Sequence, residues 1–251
     1  MLPLDTHAHI RPDILPQELE VLDACVIAAC RSLGEYEGVA GRNDPSVAWG
    51  VGCHPGLARA IREFEPDRFR GCLATAAAVA EVGLDGSSRV PMEDQVAVFD
   101  RVLGALADTP RLTSVHSYKA TAPVVELLER HRPTGVILHW WLGDEEATDR
   151  AIDAGALFSL NGSQARRWPL VTRIPPDRIL LETDHPFGDR QSKPQRPGNL
   201  ADVEKRVASV LQTTGEDLRR QGWLNLHKLV GAMPEVGPLL PRDFQVQMLA
   251  L

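Results

Sequence analysis

The sequence predicts an α/β chain closed into a (β/α)8 TIM barrel, irregular in its first third, and three observations carry that prediction. Eight short apolar runs alternate with longer helix-like stretches, the pattern of βαβ units around a parallel sheet. The length, 251 residues, matches the roughly 250 typical of such a barrel and allows one domain, 1–251, with a large core. Six metal-capable residues stand at the ends of the apolar runs, where a barrel gathers side chains onto one rim.

The strands are expected at 2–7, 24–29, 47–52, 76–82, 112–116, 135–139, 155–160 and 178–183. Each is a run of the length and apolarity of a fully buried strand. Helices are expected at 57–70, 92–108, 121–131, 144–153, 163–172 and 200–213. Pro91 with Glu93 and Asp94 makes a sound helix start, and Val124, Val125, Leu127 and Leu128 form a helical stripe. Residues 11–22 and 31–46 are short and broken by proline, so abbreviated helices and loops are expected there. The stretch 186–199 is rich in Pro, Gly and polar residues and follows the last strand, where a barrel places a rim loop. A terminal helix is expected at 215–231, followed by a tail with prolines at 234, 238 and 241.

Composition narrows the function classes. With 43% hydrophobic and 24% charged residues the chain is of ordinary soluble type. No run of about 18 apolar residues predicts a membrane span, and MLPLDTHAH lacks the basic and apolar segments of a signal peptide. Cys25, Cys30, Cys53 and Cys72 show no CxxC spacing, so reduced thiols and a cytoplasmic setting are expected. The net charge of −7 argues against a protein that coats nucleic acid. A nuclease stays open, because bound cations supply local positive charge.

The chemistry begins at His7-x-His9. Residues two apart on a strand share a face, so both imidazoles can reach one ion. Asp5 either supports that site or caps the strand. Glu81, after AAAVA, is costly to bury unpaired, and its two oxygens can bridge two ions. Asp85 is read equally well as a turn residue. His116 and His139 close their strands and can complete a second site with Glu81. Asp184 ends ILLETD, approaches the rim carrying His7 and His9, and suits a general base. Glu182 is read as facing away and pairing with a cation. His131 and His227 are assigned structural roles. His54, Lys119, Arg190 and Arg196 are candidate phosphate contacts. Trp140 or Trp141 can stack on a base, with core packing expected for at least one.

The pieces DTHAH (5–9), GCHP (52–55), EVGLD (81–85), VHS (115–117), ILH (137–139) and LLETDHP (180–186) occur in one order along most of the chain. In that set the chain resembles the TatD family of metal-dependent hydrolases, within the amidohydrolase superfamily of TIM barrels. The resemblance implies one ion held by His7, His9, Glu81 and Asp184 and a second by Glu81, His116 and His139. It also implies a deoxyribonuclease, often a 3′→5′ exonuclease, that uses Mg²⁺, Mn²⁺ or Zn²⁺. Catalysis then falls to Asp184 and Glu81, with single-stranded DNA the first substrate. Protein partners are not readable.

The substrate-facing pieces depart from the family. Tyr118 and Lys119 stand where an arginine is usual, HWWLG replaces HCFSG, and His185, a further candidate substrate-binding residue, occupies the variable place of TDxP. The segment PQRPGN only distantly matches an arginine-rich RNEP stretch, and the region between DTHAH and GCHP is shortened. These departures fit a divergent branch, such as the TatD-like nucleases of bacterial antiphage clusters. They also leave open a small-molecule amidohydrolase or esterase, and a non-catalytic barrel subunit.

Overall fold

The apolar runs become eight strands in the computed structural model, which describes residues 1–188 and 196–251. They are β1 (Leu4–Ala8), β2 (Cys25–Ala29), β3 (Val47–Val51), β4 (Ala78–Gly83), β5 (Leu112–His116), β6 (Val136–His139), β7 (Leu157–Leu160) and β8 (Ile179–Leu181). Each pairs in parallel with the next, in the order β1 to β8. Parallel strands covered on both faces bury almost every residue, which is why they read as continuous apolar runs.

Alternation divides the core in two. Val26 and Ala28 of β2 face outward into the layer between strands and helices. Cys25, Ile27 and Ala29 face inward with Leu112, Ile137, Leu157 and Leu180. The inward cluster continues into Trp223, Leu226 and Phe244. These belong to α10 (Gly215–Gly231) and α11 (Arg242–Leu249), which pack on this inner cluster. Helix α11 is absent from the sequence expectation, hidden by the prolines before it.

The first third pairs without a gap, Val26 opposite Val47 and Gly50 opposite Ala78. Its irregularity lies in the helical layer, where α1 (Pro16–Glu20), α2 (Leu33–Val39) and α3 (Ala58–Arg62) are short. The helix expected at 57–70 is two. Pro66 opens α4 (Pro66–Leu73), and Glu65 before it is extended at φ −119°, the conformation a following proline enforces. Then come α5 (Met92–Asp108), α6 (Thr121–His131), α7 (Glu145–Asp153), α8 (Trp168–Arg173) and α9 (Ala201–Leu211). Residues 163–172 also divide, into a 3-10 turn over Gln164–Arg166 and the short α8.

The seam of the barrel lies between β8 and β1. It is closed by Asp184 N–H donating to His7 O (2.9 Å) and His9 N–H to His185 O (2.6 Å). Buried Asp5 clasps it further, accepting from Thr183 N (2.9 Å), Thr183 Oγ1 (2.6 Å) and Gly198 N (2.8 Å). Among the described residues, no helix is long and apolar enough to cross a membrane. The four cysteines are free thiols, three of them buried.

Candidate metal centre and active site

The strands run parallel, so their C-terminal ends share one rim, and five of them deliver ionisable side chains there. The register of β1 shifts between Asp5 and Ala8, and that of β4 between Val79 and Val82. Such bulges re-aim side chains beside active sites, and these two flank His7 and Glu81. Gly83 permits the close approach that follows: at φ +133°, a Cβ there would lie 2.1 Å from His116 O. Asp184 adopts φ +45°, a left-handed conformation that aspartate tolerates better than most residues.

His7 and His9 converge on two carboxylates. His7 Nε2 lies 3.9 Å from Glu81 Oε2 and 3.8 Å from Asp184 Oδ1. His9 Nε2 lies 3.5 Å and 3.7 Å from the same two atoms. Donors 3.5–3.9 Å apart can share one ion, since bonds from zinc to N and O ligands run about 2.0–2.2 Å, and His7, His9 and Glu81 form one potential ligand group. His7 Nε2 and Glu81 Oε2 are buried without a hydrogen-bond partner. Buried polar atoms are nearly always paired, so this donor set fits a cation.

Around Glu81 Oε1, His116 Nδ1 approaches to 2.6 Å and His139 Nε2 to 3.1 Å. The ring of His139 stacks on His7 at 3.9 Å, and His7, His139 and Asp184 form a further potential ligand group. His54 joins through its Nε2, 3.5 Å from Glu81 Oε2.

The remaining ring nitrogens assign roles. His9 Nδ1 faces Ala29 O (3.2 Å), and His139 Nδ1 faces Glu182 Oε1 (3.3 Å). An acceptor at Nδ1 places the proton there and frees Nε2 to bind a metal. His54 is the reverse: Gly56 N–H donates to its Nδ1 (2.9 Å), so the neutral ring carries its proton on Nε2. His54 therefore presents a donor, rather than a ligand, to the centre.

Electrostatics follow from burial and crowding. Burial alone would raise Glu81, but the neighbouring imidazoles of His54 and His116 and the hydrogen bonds from His116 and His139 hold it well below the usual carboxylate range. Burial would lower His116, yet Glu81 and Asp85 raise it to about 9. Burial pushes the Asp184 carboxyl well up, and Glu182 and Glu81 add to the rise. His7 is driven well down by burial and by His139.

A cavity of about 380 Å³ opens over this cluster, lined by His9, His54, His116, Tyr118, Trp140 and Phe187 among others. Trp140 thus faces the cavity, held at φ +41° by N–H donation to Glu182 Oε1 (3.0 Å) and Ser159 O (3.2 Å). Trp141 is fully buried, its Nε1 donating to Thr148 Oγ1 (2.9 Å). Lys119, His185 and Arg196 are not among the residues that line this cavity. His185 lines the neighbouring cavity with Pro186 and Pro197. Lys119 stands over the Tyr118 ring, its Nζ 5.4 Å from the centroid. Arg196 donates to Val21 O, away from the cluster. Arg190 lies outside the described residues. Asp85 is held by Ser87 and faces His116 Nε2 at 3.6 Å, combining its two readings.

Glu182 corrects its reading. Instead of facing away to a cation, it is fully buried and accepts from His139 Nδ1, Trp140 N and Asn161 Nδ2. Glu182 lies just past β8 (Ile179–Leu181) and Asp184 turns left-handed at φ +45°, so strand alternation does not extend to this pair.

The family model described as TatD related DNase matches residues 4–231. Deoxyribonuclease TATDN3 of Homo sapiens is 29% identical over 150 residues, 56% of this chain and 55% of that protein. The 3′-5′ ssDNA/RNA exonuclease TatD of Edwardsiella piscicida is 29% identical over 170 residues, 62% of this chain and 65% of that protein. The chain therefore spans about half to two thirds of the length of these curated relatives. The crystal structure of YJJV, a TatD homologue from Escherichia coli K12, matches with a TM-score of 0.77 at 19% identity. That match covers 90% of this chain and 97% of the other, and it establishes a shared barrel.

Proposed function

Because the chain belongs to the TatD-related DNase family, we propose that it is a metal-dependent nuclease that hydrolyses phosphodiester bonds of unpaired DNA or RNA. One observation carries the reading. His7, His9, Glu81 and Asp184 hold four donor atoms at cation-binding separations, two of them buried and otherwise unpartnered. The relatives' printed activities, deoxyribonuclease and ssDNA/RNA exonuclease, support the choice of phosphodiester over other esters.

His7, His9, Glu81 and Asp184 are assigned to one divalent cation, and Glu81, His116 and His139 to a second, with Mg²⁺, Mn²⁺ or Zn²⁺ as candidates. When bound, such cations supply charge neutralisation for phosphate oxygens and lower the pKa of an attacking water. Asp184 accepts that water's proton, a task suited to a carboxylate whose burial raises its basicity. His54 donates its Nε2 proton to a phosphate oxygen, its ring fixed by Gly56 N–H. Glu182 holds His139 with Nε2 toward Glu81, and Asp5 keeps the seam between β1 and β8 closed. Free buried thiols support a reducing compartment, and we place the protein in the cytoplasm.

The test is a substrate panel. Protein loaded with Mn²⁺ or Mg²⁺ is expected to shorten end-labelled single-stranded DNA or RNA. Turnover of a lactone, amide or small ester, with every nucleic acid left intact, would instead establish a small-molecule hydrolase. No turnover of any substrate by fully loaded protein would favour a binding role.

A further inference from the structure

The chain has thirteen aromatic side chains of Phe, Trp and Tyr type, all among the described residues. Nine are buried in the core. The other four are Tyr118, Trp140, Trp168 and Phe187, and every one lies on the rim that carries the metal centre. Each follows a different strand: Tyr118 β5, Trp140 β6, Trp168 β7 and Phe187 β8. Three are strongly exposed, Tyr118 at 43%, Phe187 at 59% and Trp168 at 64%. Elsewhere on the described surface no aromatic ring is exposed, so placement by chance is a poor account of the four.

Tyr118, Trp140 and Phe187 line the cavity over the cluster. Trp168 is not among the residues lining that cavity; it opens α8, after β7 on the same rim. The loop before it is anchored to the preceding one by Gln164 Nε2 donating to Trp141 O (2.9 Å), and Arg167 Nη1 reaches Leu142 O (3.3 Å). Leu142 itself lines the cavity, so Trp168 follows directly on a residue that touches the wall. Cations accompany the rings: Lys119 beside Tyr118, and the exposed Arg166 and Arg167 before Trp168. From β5 to β7 is two strand spacings, about 10 Å, or about three stacked nucleotides.

We infer that the arc Tyr118–Trp140–Trp168 is a stacking track that holds an unpaired nucleic-acid strand next to the scissile bond. The inference rests on the nuclease reading and names how that site recognises its substrate. Aromatic faces accept any base but require it unpaired, so the track selects single strands without reading sequence. It suits a chain with net charge −7, in which 34 acidic residues outnumber 27 basic ones and charge alone is a poor hold on a backbone.

The test is binding without catalysis. Anisotropy of a labelled dT10 strand is measured in EDTA for wild type, Trp168→Ala and Trp168→Phe. Loss of one stacked base weakens binding about 5- to 150-fold in Trp168→Ala, with Trp168→Phe recovering most of it. A dT10 strand whose bases are replaced by abasic sites is expected to bind weakly to wild type and to be indifferent to Trp168→Ala. Equal binding of dT10 by wild type and Trp168→Ala, equal binding of the abasic strand, or no binding by wild type would each overturn the track. Strand cleavage with a KM unmoved by Trp168→Ala defeats the track and leaves the nuclease reading intact. Trp168-dependent binding by metal-loaded protein that cuts no strand does the opposite.

Discussion

Replacing Glu182 by glutamine removes one charge with almost no change of volume, and so isolates what that carboxylate does for the metal centre. Its Oε1 accepts three hydrogen bonds, from His139 Nδ1 (3.3 Å), Trp140 N (3.0 Å) and Asn161 Nδ2 (3.2 Å). Hydrogen bonds to an ionised acceptor are about twice as strong as neutral ones, so all three weaken. Oε2, which has no partner, becomes an amide N–H₂ that finds no acceptor. Relief from burying a charge offsets part of this, leaving a net loss of about 2 kcal/mol. For a domain of this size that lowers Tm by about 4–8 °C. The larger effect is on metal. Loss of the carboxylate behind a ligating histidine costs roughly 10- to 100-fold in affinity, measurable by competition with a chromophoric chelator at pH 7.5. Affinity within twofold of wild type would refute the assignment of Glu182 as the group that orients His139.

Three further outcomes follow from the same geometry. Gly83→Ala is expected to cost about 3 kcal/mol or more, because φ +133° and a 2.1 Å contact with His116 O both forbid a side chain; urea unfolding near the wild-type midpoint would contradict this. His131→Ala removes only a surface contact to Asp100 at 2.8 Å, so hydrolysis should be unchanged and Tm should fall by less than about 3 °C. Loss of activity there would place His131 in the machinery. His116, raised to about 9, is protonated at neutral pH and must release its proton to bind a cation. Affinity for that cation should therefore rise with pH, about tenfold per unit, and level off above 9. A flat titration from pH 6.5 to 9.5 would contradict a ligand role for His116.

The strands were legible because burial on both faces writes each as an apolar run, and no competing signal interrupts Cys25–Ala29 or Leu112–His116. Helix limits were less so. Apolar periodicity runs through Pro66 and Arg167, while the backbone breaks at both. Helix α11 was masked because prolines 238 and 241 suggest a tail, although Phe244 buries itself completely against Trp223. In the site, the six strand-end residues were readable one strand at a time. The tautomer of His54 was not, since it depends on a backbone N–H at Gly56 that only the turn supplies. Nor was the fate of Arg196, whose guanidinium is taken by a carbonyl from a distant loop. Phe187 gave no periodic signal because it sits in a loop, and Trp168 gave none because it opens a helix of only six residues. Their shared rim emerges only from the closed order of the strands.

The proposed metal centre gathers around Glu81, and hydrolysis is expected to depend on it. Glu81 approaches His9, His54, His116 and His139 within 3.5 Å, more of the cluster than any other carboxylate among the described residues. The decisive measurement is elemental analysis of Glu81→Ala beside wild type, with cleavage of end-labelled single-stranded DNA assayed on the same samples. Bound metal and cleavage are expected to fall together while the protein stays folded. Full metal occupancy in Glu81→Ala, or undiminished cleavage without it, would rule out Glu81 as the residue that holds the metal for hydrolysis.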